Sequence, residues 1–258
     1  PLRITERLPS KVRAVLVQQL FMEKDGLPSP LLNAIKRLAA FQNPEFYKKQ
    51  SLRLSTVREP RVIACAEEHP QHVALPRGCV DEVRELLQAH GSRLVIEDKR
   101  HTGEAVDFVF QGRLTPMQQE AVEAILAHDL GVFVAPPGTG KTVVGTYLVA
   151  ARRVSTLVLV HRKPLLEQWV AQLSMFLGIP EKAIGRIGAG QRKPTGTLDV
   201  AMIQSLVHKD EVDDLVAGYG QVIVDEWHHV SAKSFERVLA EVRARYVTGL
   251  TATPYRRD

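Results

Sequence analysis

Apolar and polar positions follow three different rhythms along the 258 residues. Over residues 1–58 the apolar positions of KVRAVLVQQLFM and LLNAIKRLAAF recur at three- and four-residue spacing, which predicts amphipathic helices. Pro28 and Pro30 break the chain between them, and NPEFYKKQSLRL starts a further helix at an Asn cap. Over residues 59–111 the period shortens. RVIACAE, HVALP, RLVIEDK and AVDFVF read as strands, and CVDEVRELLQAHG reads as a helix stopped at Gly91. From 112 to 258 short apolar runs alternate with helical stretches. The runs are GVFVA (131–135), TLVLV (156–160), LDVAMI (198–203), QVIVD (221–225) and YVTGL (246–250). Buried strands separated by helices predict a parallel sheet covered on both faces. The expected organisation is a helical region 1–58, a small α/β domain 59–111 and an α/β domain 112–258.

Composition narrows the class. With 45% hydrophobic and 24% charged residues, the chain has enough apolar mass for a real core. No apolar run approaches a bilayer-spanning length, and the N-terminus lacks the layout of a signal peptide. A cytoplasmic, bacterial-type protein without a membrane partner is expected, with association to the nucleoid compatible. The two cysteines, Cys65 and Cys79, argue against a disulfide framework. Their spacing with His69 and His72 fits no common zinc pattern. The net charge of +5 is compatible with a polyanionic partner or with a plain solvated surface.

Ligands of open parallel sheets sit at the carboxyl ends of the strands. After the first strand of the third region comes APPGTGKT, residues 135–142, running into the helix VVGTYLVAARR. This is a phosphate loop in its strand–loop–helix setting. Gly138 and Gly140 would let the backbone curl so that N–H groups point at phosphate oxygens, with Pro137 and Thr139 in the same nucleotide-binding loop. The helix N-terminus adds partial positive charge. Lys141 would reach the β- and γ-phosphates, and Thr142 would hold Mg²⁺. Ala135 stands where the general pattern has Gly. After the fourth strand comes VIVDEWHH. Asp225 would meet Mg²⁺ through water, and Glu226 would orient and deprotonate the attacking water. A GTPase needs an Asn-Lys-x-Asp motif, and neither Asn33 nor Asn43 is followed by Lys. The adjacent acids favour hydrolysis over phosphoryl transfer to a second substrate.

Together, APPGTGKT, DEWHH and GLTATP resemble motifs I, II and III of superfamily 2 helicases of the DExH kind, similar to XPB-type helicases and type III restriction motors. The resemblance covers residues 113–258 and implies the first of two RecA-like domains. ATP and Mg²⁺ are then the implied cofactors. LTPMQQEAV resembles the Q-type motif, which would place Gln118 at the adenine edge. LVLVHRKPLLEQW resembles motif Ia and DVAMIQSL resembles motif Ic, both of which track a nucleic-acid backbone. Arg162 and Lys163, together with Gln204 and Ser205, are the implied contacts. GAGQRKPTG (188–196) reads as a flexible basic loop nearby. The resemblance gives His228 and the hydroxyls of Thr251 and Thr253 a coupling role.

The resemblance also implies a second RecA-like domain, supplying arginine fingers, beyond Asp258. A fragment lacking it is expected to bind ATP weakly, hydrolyse it slowly and leave duplexes unopened. Residues 59–111 occupy the place of a DNA-engaging domain in XPB-type helicases. Duplex DNA is the preferred partner and structured RNA stays open. Two rival readings are a nucleotide-gated nucleic-acid binding module and a restriction-type motor subunit.

Overall fold

The computed structural model describes residues 8–57, 59–209, 211–226 and 232–252. It separates into two compact units, Pro1–Lys99 and Arg100–Arg257.

The first unit runs β1 (Lys11–Leu16), β2 (Leu20–Glu23), α1 (Ser29–Leu38), β3 (Ala40–Gln42), α2 (Pro44–Ser51), β4 (Val62–Ala64), β5 (Glu67–Glu68), β6 (His72–Leu75), α3 (Val80–Ala89) and β7 (Arg93–Asp98). Five of these strands form one sheet in the order β5-β6-β2-β1-β7. Leu31 and Ile35 of α1 and Val83 and Leu87 of α3 pack with Val12, Ala14, Leu20 and Met22 of the sheet.

This unit corrects three expectations. KVRAVLVQQLFM is a β-hairpin, not a helix. Its burial alternates, with Val12, Ala14 and Leu16 inside, as a strand requires. The run also offers apolar residues at helical spacing, but β7 and β2 supply partners on either side of β1. The division at residue 58 disappears as well, because β1 pairs in parallel with β7 and β2 pairs with β6. The domain boundary falls at 99/100 instead of 111/112.

The second unit runs α4 (Pro116–Leu126), β8 (Leu130–Val134), α5 (Lys141–Arg152), β9 (Thr156–Val160), α6 (Lys163–Leu177), β10 (Gly185–Gly188), β11 (Gln191–Lys193), β12 (Leu198–Met202), β13 (Val207–His208), β14 (Glu211–Val212), β15 (Gln221–Asp225), α7 (Ala232–Glu241) and β16 (Tyr246–Thr251). Seven strands lie in the order β11-β10-β12-β9-β15-β16-β8. All neighbours are parallel except the β10–β11 hairpin. Val158, Val160, Ile223 and Leu250 face one core with Val149 of α5 and Trp169 and Leu173 of α6. Leu157, Leu159, Val222 and Val224 face the other, with Val238 of α7. β9 and β15 thus bury both their faces, which explains their unbroken apolar runs in the sequence.

AVDFVF is not a strand beyond an isolated bridge between Ala105 and Val154. Its aromatics are used against helices: Phe110 stacks on Phe176 at 5.4 Å and meets Tyr147 edge-on. The basic segment 188–196 is also more ordered than a loop. Its first half is the β10–β11 turn, and its end is fixed by Asp199, which accepts from the backbone N–H groups of Thr195 and Gly196 at 2.9 Å. Tyr219 donates to the same buried carboxylate.

Among the described residues, no helix is long and apolar enough to cross a membrane.

Candidate nucleotide site

The carboxyl ends of β8 and β15 open onto one cleft of about 320 Å³. Its lining includes Pro137, Gly138, Gly140, Lys141, Thr142, Asp225 and Glu226. The sheet order explains the convergence. Only β16 separates β8, which leads into the phosphate loop, from β15, which ends at the acids.

The loop is shaped by two glycines. Gly138 and Gly140 take φ of +84° and +80°, a region costly for any residue with a Cβ. Gly140 then caps α5, whose first two residues are Lys141 and Thr142. Lys141 is held on both sides. Its Nζ donates to the Ala135 carbonyl at 3.1 Å and pairs with Glu226 Oε1 at 3.1 Å.

Gln118 reaches the loop from α4. Thr115 and Gln118 form a capping box, in which Gln118 Oε1 accepts from the Thr115 N–H at 2.9 Å. The other end of the same amide, Nε2, donates to the Thr139 carbonyl at 2.9 Å. The structure therefore shows Gln118 tying the start of α4 to the phosphate loop. The T-x-x-Q spacing is a capping signal visible in the sequence.

Asp225 is buried at the tip of β15, 5% exposed. Its Oδ2 accepts from Trp169 Nε1 at 2.7 Å. Burial pushes its carboxyl above the ordinary aspartate range. Neighbouring Glu226 pushes the same way, while the Trp169 N–H and the Lys141 ammonium pull it back. Glu226 itself sits at φ +50°, outside the strand conformation, with its N–H bonded to the Leu250 carbonyl at 2.8 Å. Such a left-handed residue costs roughly 1–2 kcal/mol and re-aims the side chain that carries it. Here it turns the second acid back toward Lys141.

Thr251, fully buried at the end of β16, accepts the Ala135 N–H at 3.0 Å through its carbonyl. His228 and Thr253 lie outside the described residues.

The candidate nucleic-acid contacts gather at the ends of β9 and β12. Arg162 and Lys163 are exposed at the start of α6, with Arg162 as its N-cap. The exposed Gln204 donates to the His161 carbonyl at 2.8 Å, so the segment after β12 is tied to the one after β9. Ser205 is half-buried in the same short turn, Ile203–Ser205. These four residues lie at the same strand ends as the phosphate loop, on neighbouring strands.

Sequence reasoning missed the contribution of α6 to the cleft. Leu165, Gln168 and Gln172 line it, one helix face of spacing three and four, and Trp169 lies beneath.

Residues 111–256, more than half of the chain, match the family described as "Type III restriction enzyme, res subunit". The chain belongs to this family. As a res-type domain, it is 31% identical over 178 residues to a "Putative DNA 3'-5' helicase Rad25" of Haloarcula marismortui, covering 68% of this chain and 28% of that protein. It is 35% identical over 162 residues to a "DNA 3'-5' helicase XPB" of Kineococcus radiotolerans, covering 60% of this chain and 28% of that one. The res-type chain thus spans under a third of the length of these curated relatives. Its fold matches the crystal structure of the UvsW helicase from bacteriophage T4 with a TM-score of 0.66, at 13% identity, over 94% of this chain and 92% of that one. The fold is the RecA-like α/β fold of superfamily 2 helicases.

Proposed function

We propose that this chain is the ATP-binding first RecA-like lobe of a DNA helicase or translocase, using Mg²⁺, acting on duplex DNA and completed by a second RecA-like domain. The observation that carries the reading is the meeting of Lys141, Thr142, Asp225 and Glu226 around one cleft, with Lys141 Nζ 3.1 Å from Glu226 Oε1. Family membership and the similarity to helicase relatives support it.

The residues present fit a magnesium-bound triphosphate. Two left-handed glycines bend the loop, the N-terminus of a 12-residue helix faces the cleft, and Asp225 has one oxygen held by Trp169. The metal would neutralise charge building on the β- and γ-phosphate oxygens. Lys141 would exchange its bonds to Ala135 and Glu226 for phosphate oxygens. Glu226, released from the lysine, would orient the attacking water and take its proton. Gln118 would read the adenine edge while keeping its tie to Thr139. His228, Thr251 and Thr253 would report the state of the cleft to the second domain, whose arginines can add 10³–10⁵ in rate in related NTPases. Arg162, Lys163, Gln204 and Ser205 would hold the nucleic-acid backbone, with the first unit, Pro1–Lys99, a further DNA-engaging element. By itself the chain would hydrolyse ATP slowly and leave duplexes closed. A restriction-type motor subunit is a second reading, favoured by the family's description.

The test is ATP hydrolysis by the full-length gene product with and without duplex DNA, beside K141A and E226Q. Stimulation by duplex DNA that both substitutions abolish is expected. DNA binding without turnover in the full-length protein would replace the motor with a nucleotide-gated binding module.

A further inference from the structure

Among the described residues, Trp169 is the largest fully buried side chain, and its polar atom is aimed at the candidate cleft. The ring is wedged between helices. A Cβ on Gly145 of α5 would lie 2.5 Å from Trp169 Cη2, so the glycine is what lets the indole fill the space between α5 and α6. A buried indole N–H needs an acceptor. Here the acceptor is the carboxylate Oδ2 of Asp225, 56 positions further along the chain, at 2.7 Å.

The geometry points to Trp169 as a positioning residue for the magnesium of the bound nucleotide, through its hold on Asp225. This rests on the nucleotide reading given above. The terminal torsion of an aspartate is broad, so an unsupported carboxylate samples many orientations. A hydrogen bond to one oxygen from a ring that cannot move removes that freedom. The other oxygen is then presented in a single direction. Partners that fix a group holding a metal typically change metal affinity 10–100-fold when removed, and Asp225, which would meet Mg²⁺ through water, sets the expectation at the tenfold end. Arg162 and Lys163 open the same helix, so one rigid element joins the holder of Asp225 to the candidate backbone contacts.

Trp169→Phe keeps an aromatic ring in the core and removes the donor. The measurement is binding of a fluorescent ATP analogue to the chain, titrated with Mg²⁺ and repeated in EDTA. The variant is expected to need about tenfold or more Mg²⁺ for half-maximal binding, with its affinity in EDTA that of the wild type. An unchanged Mg²⁺ requirement overturns the inference. So does an equal loss of affinity in EDTA, which marks a role in packing alone. A wild-type chain that binds no nucleotide in either condition overturns the nucleotide reading and this inference with it. If W169F does not fold, the wild-type chain labelled at its two tryptophans supplies the test. W227F assigns the indole N–H resonance of Trp169. Adding Mg²⁺ to the ATP-bound chain should shift that resonance, and a resonance that stays in place sinks the proposal.

Discussion

Lys141 Nζ and Glu226 Oε1 stand 3.1 Å apart across the cleft, so the lysine of the phosphate loop is neutralised by the acid proposed to activate water. The pair is largely shielded, with side-chain exposures of 10% and 19%. A triphosphate would have to displace Glu226 from the lysine before binding fully. Glu226→Gln removes both this competitor and a negative charge beside the phosphates. Its affinity for ATP should rise while hydrolysis falls by about 10²–10⁴-fold, the usual worth of a general base. Lys141→Ala should lose both affinity and turnover. Equilibrium binding and single-turnover hydrolysis on the same preparations separate the two outcomes.

The two loop glycines should respond differently to alanine. At Gly138 a Cβ meets nothing within 4 Å, so the cost is that of the left-handed backbone alone, about 1–2 kcal/mol. At Gly140 the added carbon would fall 2.4 Å from Gln118 Nε2 and displace the amide that holds Thr139. Gly140→Ala should therefore lower the thermal midpoint further and weaken nucleotide binding more than Gly138→Ala. Calorimetry with and without ATP checks the ranking.

Asp225 gives a pH signature. Its folded pKa is raised by burial, so the folded state holds the proton more tightly than the unfolded chain. The stability this contributes is complete below the ordinary aspartate value near 4 and is lost as pH rises through the folded pKa. Asp225→Asn escapes that loss. The variant should melt higher than the wild type at pH 7–8, with the gap closing as pH falls toward 4. Melting curves across that range decide it, and a gap that widens on acidification would contradict the assignment.

The tie between the two candidate nucleic-acid segments can be probed by salt dependence. Arg162→Ala should weaken duplex binding evenly across sequences and reduce the slope of log affinity against log salt by about 1. Gln204→Ala removes a donor to the His161 carbonyl but no charge. It should weaken binding with the slope unchanged.

The chemistry of this chain was more legible than its front end, for local reasons. The phosphate loop and the acid pair are short contiguous motifs, and β9 and β15 are buried on both faces, so their runs match the strands found. Residues 11–16 carry two periods at once, and the pairing with β2 on one side and distant β7 on the other decides between them. AVDFVF has strand composition but no neighbouring strand edge, so its side chains serve helices instead. The Trp169–Asp225 bond was invisible because it depends on sheet order. Neighbouring β9 and β15 bring the start of α6 beside the end of β15, and nothing in either segment announces the other.

β16 lies between the strand that feeds the phosphate loop and the strand that ends in the acids, paired in parallel with both. A pull along the backbone beyond Thr251 would load both hydrogen-bond ladders in shear, the direction in which a sheet yields least. Force arriving from that end would reach the two halves of the cleft together. The strand is placed as a tendon common to the phosphate loop and the acid pair.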